Sequence, residues 1–81
     1  MGLKRLYRVY YTTYSDDVHR RIINEIESRY GFKVVEHPSR VHPEFRFIEI
    51  YTEREGMEEE LVSLVKNIAG TMYVRVDWIF T

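Results

Sequence analysis

The chain predicts a two-layer α+β sandwich: one four-stranded antiparallel sheet with two helices on one face. Three observations predict it. Two segments carry apolar residues at helical spacing, four carry the alternation of strands, and these elements follow in the order βαββαβ. At 81 residues the chain has room for one core and one domain, spanning positions 1–81.

The first strand is read from Leu6 to Thr13, rich in Tyr, Val and Thr, with Tyr7, Val9 and Tyr11 on one face and Arg8, Tyr10 and Thr12 on the other. Ser15 offers an N-cap, and Asp16 and Asp17 place negative charge in the first turn of a helix. Val18, Ile22, Ile26 and Tyr30 recur every four residues, Ile23 widens the stripe, and Gly31 ends the helix. A second strand, Phe32 to His37, leads into a segment from Pro38 to Pro43 that its two prolines mark as an extended loop. The third strand, Phe45 to Tyr51, sets Ile48 and Ile50 on one face and Phe45, Phe47 and Tyr51 on the other. In the second helix Met57, Leu61, Leu64, Val65 and Ile68 form one face, Glu58, Glu59 and Glu60 load the first turn, and Gly70 closes it. The last strand, Met72 to Phe80, alternates Val74, Val76 and Trp78 against Tyr73, Arg75, Asp77 and Ile79. Two right-handed split βαβ units of this length give a ferredoxin-like sandwich.

Composition narrows the functional classes. Hydrophobic residues at 44% and charged residues at 31% are globular values rather than those of a disordered chain. With no cysteine, disulfides, thiolate nucleophiles and thiolate metal sites are excluded. No apolar run approaches the ~20 residues of a membrane-spanning helix, and the N-terminus has no signal-peptide core, so a soluble cytoplasmic protein is expected. Lys and Arg number 12 against 13 Asp and Glu, which is not the field of a typical duplex-DNA binder. Nine of the twelve basic residues are Arg, Gln is absent and Ala occurs once, a skew that resembles hyperthermophile composition. A natural thermophile protein and an engineered fold without natural function both stay open.

Taking the β-branched side of each strand as the side beneath the helices makes Val9, Ile48, Ile50, Val74 and Val76 core. The opposite face then collects Arg8 and Tyr10, Phe45, Phe47, Glu49 and Tyr51, and Tyr73, Arg75 and Asp77. A sheet covered on one side should turn polar residues to water on the other, so an aromatic open face predicts a docking partner. Lys33, Arg40 and Arg46 are expected to extend a basic rim, while acidic helix 2 turns nucleic acid away from the helical side.

Phe45-Arg46-Phe47-Ile48-Glu49-Ile50 and Val9-Tyr10-Tyr11 resemble the two ribonucleoprotein motifs of the RNA-recognition-motif family, which lie on the two central strands. Glu44 stands where that family has glycine, Pro43 where a basic residue is usual, and Arg46 at a normally small position. The resemblance implies single-stranded nucleic acid as partner, with Tyr10, Phe45 and Phe47 stacking on bases and Arg8 and Arg75 near phosphates or base edges. Tyr51, Tyr73 and Arg40 complete the expected binding set. A second stretch, Tyr14 to Arg21 followed by Arg29 to Val34, is similar to the first helix of the small dimeric ferredoxin-like proteins of CRISPR adaptation. Those proteins carry an aspartate at the end of the first strand, where this chain reads Tyr11-Thr12-Thr13-Tyr14. The likeness therefore implies a dimeric relative and no nuclease.

The competing reading is structural. Exposed strand aromatics also stabilise sheets by cross-strand pairing, or pack against a second copy of the chain in a homodimer. Glu49 and Asp77 favour that reading, because carboxylates repel phosphates and could pair with Arg8 and Arg75 across a dimer axis. His37 and His42 match no zinc spacing and are read as loop histidines, while His19, beside Arg20 and Arg21, is read as lying on a solvated helix face. No cofactor, no metal and no catalytic set is expected, and the chain reads as a non-enzymatic binding module.

Overall fold

Two alternating strands, β1 (Arg5–Thr12) and β3 (Phe45–Tyr51), form the centre of the sheet. The computed structural model describes residues 5–38 and 44–80. Helix α1 (Asp16–Tyr30) follows β1 and leads to β2 (Lys33–Pro38); helix α2 (Glu58–Ala69) follows β3 and leads to β4 (Val74–Phe80). The sheet is antiparallel throughout, in the order β2-β3-β1-β4. This is the ferredoxin-like α+β fold. The expected loop at 39–43, with Arg40 and His42, lies outside the described residues. Among the described residues no helix is long and apolar enough to cross a membrane.

Local chemistry sets the helix boundaries. The Ser15 hydroxyl accepts the Val18 N–H at 3.2 Å, and Asp16 and Asp17 face the positive end of the α1 dipole. At the other end Gly31 takes a left-handed φ of 69°, which lets its N–H reach the Glu27 carbonyl at 2.9 Å. Phe32 is therefore not the first strand residue; it stacks on Tyr30, with ring centroids 5.3 Å apart, and β2 begins at Lys33. Helix α2 has no side-chain cap and relies on Glu58, Glu59 and Glu60 in its first turn, while the buried Met57 supplies the first carbonyl, 2.9 Å from the Leu61 nitrogen. Met72 and Tyr73 lie ahead of β4 rather than in it.

The core lies where the alternation places it. Val9 stands between Ile48 and Val76 in the register, and Tyr7 between Ile50 and Trp78. Ile22, Ile23 and Ile26 of α1 and Leu61, Leu64 and Val65 of α2 cover this face. Val74 and Val76 pack against it from β4. Tyr7 and Tyr11 are fully buried beside Val9. Large-to-Ala truncation in such a core costs ~2–5 kcal/mol, well above the ~0–1 kcal/mol of a surface ion pair, so the helical face rather than the charged surface carries the stability.

Each buried tyrosine brings a hydroxyl that needs partners. Tyr7 donates to the Arg54 carbonyl at 2.6 Å and accepts the Met57 N–H at 3.2 Å, tying the β3–α2 connection to the sheet. Burial pushes its pKa up. Tyr11 lies 2.6 Å from His19 Nδ1, and His19 Nε2 lies 3.0 Å from the Glu36 carboxylate. A carboxylate can only accept, so Nε2 carries a proton, and Nδ1 and the Tyr11 hydroxyl share the second hydrogen bond. Burial likewise raises the Tyr11 pKa and keeps that hydroxyl protonated. His19 is thus a buried bridge between β1, α1 and β2, not a residue of a solvated helix face. It sits one turn from Ile22 and Ile23 on the face that meets the sheet.

Tyr7→Phe keeps the ring and removes the acceptor of the buried Met57 N–H. The expected loss is about 1–3 kcal/mol in urea unfolding with an unchanged slope, and an unaltered midpoint would refute the tether.

Candidate functional site

The uncovered face of the sheet is built in rows, because residues directly opposite in antiparallel strands point to the same side. One row runs His37, Phe47, Tyr10, Arg75 across all four strands. The next runs Val35, Glu49, Arg8, Asp77, and the third Lys33, Tyr51, Leu6, Ile79. The expected site residues Arg8, Tyr10, Phe47, Tyr51 and Arg75 therefore share this face. Phe45 continues β3 on the same side, and Tyr73, just ahead of β4, lines the cleft with it.

The aromatic row is continuous. The rings of His37 and Phe47 stack at 4.8 Å and 9°, and Tyr10 meets Phe47 at 5.4 Å and 33°. The guanidinium of Arg8 lies 5.8 Å from the Phe47 ring and that of Arg75 lies 5.9 Å from the Tyr10 ring, within cation–π range. His37 is expected as the last residue of the second strand, bordering the loop, and is read as a loop histidine. It lies inside β2, and its ring extends the aromatic row to the sheet edge. The signal that finds it is parity: once β2 pairs with β3, His37 must share the side of Phe47.

The carboxylates of this face are neutralised within the chain. Glu49 Oε2 accepts from Arg8 Nε at 3.1 Å and from Nη2 at 2.8 Å, while Oε1 accepts from His37 Nε2 at 2.8 Å. The Tyr51 hydroxyl approaches the same Oε1 at 3.5 Å. The Arg8 hydrogen bonds first, and then His37, hold the Glu49 pKa below the usual carboxylate value despite its burial. Asp77 accepts from Arg75 Nε at 3.1 Å. Both pairs expected across a dimer axis thus form inside one chain.

One end of the face opens into a cleft. Tyr10, Phe45, Phe47 and Tyr73 line it together with Tyr11 and Arg46, around a volume of about 250 Å³. Phe45 and Tyr73 are about half exposed, and the Arg75 side chain beside them is 66% exposed. The volume lies below the range of about 300–1,000 Å³ usual for small-molecule pockets and suits insertion of a ring more than enclosure of a ligand.

Arg46 does not extend a basic rim on the open face. It lies opposite Tyr11, donates through Nε to the Thr13 carbonyl at 3.0 Å and pairs through Nη2 with Asp16 at 2.9 Å, with its side chain only 11% exposed. An even position on β3 faces the helices, and a guanidinium held there must find acceptors. Lys33 keeps its place on the open side, at the β2 edge. Arg40, the remaining expected site residue, lies outside the described residues. Among the described residues no cluster of three or more His, Asp or Glu side chains is placed to hold a metal ion.

The depressed pKa gives Glu49 a pH signature. Its pairing stabilises the fold fully above the unfolded value of 4.5 and is lost as the pH falls below it, through the lower folded pKa. Thermal unfolding should therefore show a drop in wild-type stability on acidification that Glu49→Gln flattens; parallel pH profiles for the two proteins would contradict the pairing. Compared with protein-family models, curated proteins and solved structures, the chain matches none.

Proposed function

We propose that this protein is a non-enzymatic binding module that holds single-stranded nucleic acid against its open sheet face. The observation that carries the reading is the cleft between Phe45, Tyr73, Tyr10 and Phe47, where the half-exposed rings of Phe45 and Tyr73 stand near Tyr10 and the largely exposed Arg75 side chain lies over the Tyr10 ring. Unpaired bases offer π-faces that stack on such rings in any sequence, and a neighbouring cation answers the phosphate. Neutralisation of Glu49 by Arg8, with a hydrogen bond to His37, supports the reading further, because it offsets the buried negative charge that would repel the backbone.

In this reading Phe45 and Tyr73 clasp a base at the cleft, Tyr10 and Phe47 form the floor for a second contact, and Arg75 meets phosphate. Tyr51 and Lys33, at the far end of the face, mark where the strand would leave. The acidic first turn of α2 lies on the helical side and keeps the chain of phosphates to the sheet.

Titration of the protein into labelled single-stranded RNA and DNA at two salt concentrations, read by fluorescence anisotropy, tests the proposal. Salt-sensitive binding is expected, with Phe45→Ala and Tyr73→Ala each losing ~1–3 kcal/mol and Tyr10→Ala with Phe47→Ala abolishing it in a folded domain. Unchanged affinity in these variants would overturn the stacking role. Absence of binding, together with a dimer that Phe47→Glu converts to a monomer, would assign the face to self-association instead.

A further inference from the structure

The sheet ends in two unlike edges. Strand β2 is guarded: it carries Lys33 and Glu36 and finishes at Pro38, which has no N–H to offer a neighbour. Strand β4 carries the charges of Arg75 and Asp77 but no proline. Its sequence Val-Arg-Val-Asp-Trp-Ile-Phe contains no Lys, Pro or Gly, and among the described residues no strand pairs with its outer side. Three of the five large apolar side chains most exposed among the described residues gather at its ends: Met72 at 93%, Tyr73 at 49% and Phe80 at 52%.

We propose that β4 pairs antiparallel with β4 of a second copy of this chain, about a two-fold axis through Val76 normal to the sheet, joining the two four-stranded sheets into one. Such an axis keeps both helical layers on the same side and requires that facing residues share parity along the strand. Within that limit charge selects the register. Centring on Val76 sets Arg75 opposite Asp77 of the second copy, twice by symmetry. Shifting the centre one residue either way sets Arg75 against Arg75 or Asp77 against Asp77, and like charges directly opposite are destabilising.

The same register matches the apolar residues. On the helical face Val74 meets Trp78 and Val76 meets its own copy; on the open face Tyr73 meets Ile79, an aromatic and β-branched pair. Continued to Met72, the register brings it opposite Phe80, so the exposed apolar groups at the two ends of the strand cover each other. Arg75 and Asp77, joined along one strand at 3.1 Å in the single chain, exchange that contact for a cross-strand one without losing a partner. Asp77 also stands opposite Arg8 in the register and would lie between two arginines. The backbone edge lies apart from the aromatic cleft, although Tyr73 and Arg75 border both, and the pairing does not rest on nucleic-acid binding.

Charge reversal tests the pairing. The full chain, free of nucleic acid, is expected to sediment as a dimer, while Arg75→Asp and Asp77→Arg each weaken self-association at least about tenfold, because each alone sets two like-charged pairs across the axis. An equimolar mixture of the two single variants should return to dimer mass, since both cross-strand pairs are then opposite in sign. The mixture is the deciding readout, because the intrachain pair stays broken in both variants and a merely local role would not be rescued. If a single variant folds poorly by circular dichroism, the double variant Arg75→Asp with Asp77→Arg, which restores both kinds of pair, should dimerise alone. A wild type that stays monomeric at submillimolar concentration, single variants that remain dimeric, or a mixture that remains monomeric would each overturn the proposal.

Discussion

The register of the two central strands is the constraint on which the rest depends. Pairing Val9 with Ile48 and Tyr10 with Phe47 commits every odd residue of β1 and every even residue of β3 to the helical side. A slip of one residue would send Ile48 and Ile50 to water and drive Glu49 beneath the helices, at a cost in lost burial and unpaired charge that no surface interaction approaches. Helix placement follows from this choice, since α1 and α2 have only one apolar stripe each and only one face of the sheet can meet it. The open face is what the same choice leaves behind.

Polar groups sharpen a core that hydrophobic pattern alone would leave adaptable. Two β1 tyrosines reach out of the apolar layer in different directions. Tyr7 fixes the chain just before α2 through two backbone groups, and Tyr11 fixes α1 to β2 through His19 and Glu36. Each hydroxyl is satisfied only if strand, helix and connection are all in place, so both act as specificity contacts whose loss would be felt as an unpaired buried group. Tyr30 makes a comparable bridge at the surface, where its hydroxyl donates to Glu60 and links the two helices.

The open face follows the same economy of charge. Glu49 stands near the middle of the sheet, at a depth where an unpaired carboxylate would be costly, and Arg8, His37 and Tyr51 converge on it from three strands. This leaves the aromatic row intact and puts the exposed Arg75 side chain, paired with Asp77, on the strand whose outer edge has no strand paired to it among the described residues. Stacking at the cleft and pairing at the β4 edge would therefore share one strand: the pairing adds backbone groups at the edge, and both draw on Tyr73 and Arg75.

The sequence by itself determined the element order, the helix stripes and their caps at Ser15, Gly31 and Gly70, because those are local properties of spacing and backbone freedom. It also determined which strand residues share a side, so Arg8, Tyr10, Phe45, Phe47, Tyr51, Tyr73 and Arg75 were legible as one surface. Tertiary structure alone decided the partners. Arg46, a residue of β3 by any local reading, pairs with Asp16 only because β1 and β3 bring α1 beneath it. His19 became a buried bridge because Tyr11 and Glu36 arrive from other strands, and His37 became part of the aromatic row because the β2–β3 register fixed its neighbour. Side-chain chemistry along the chain names what each group needs, but which group meets that need depends on contacts between residues far apart in sequence, and these exist only once the sheet has chosen its register.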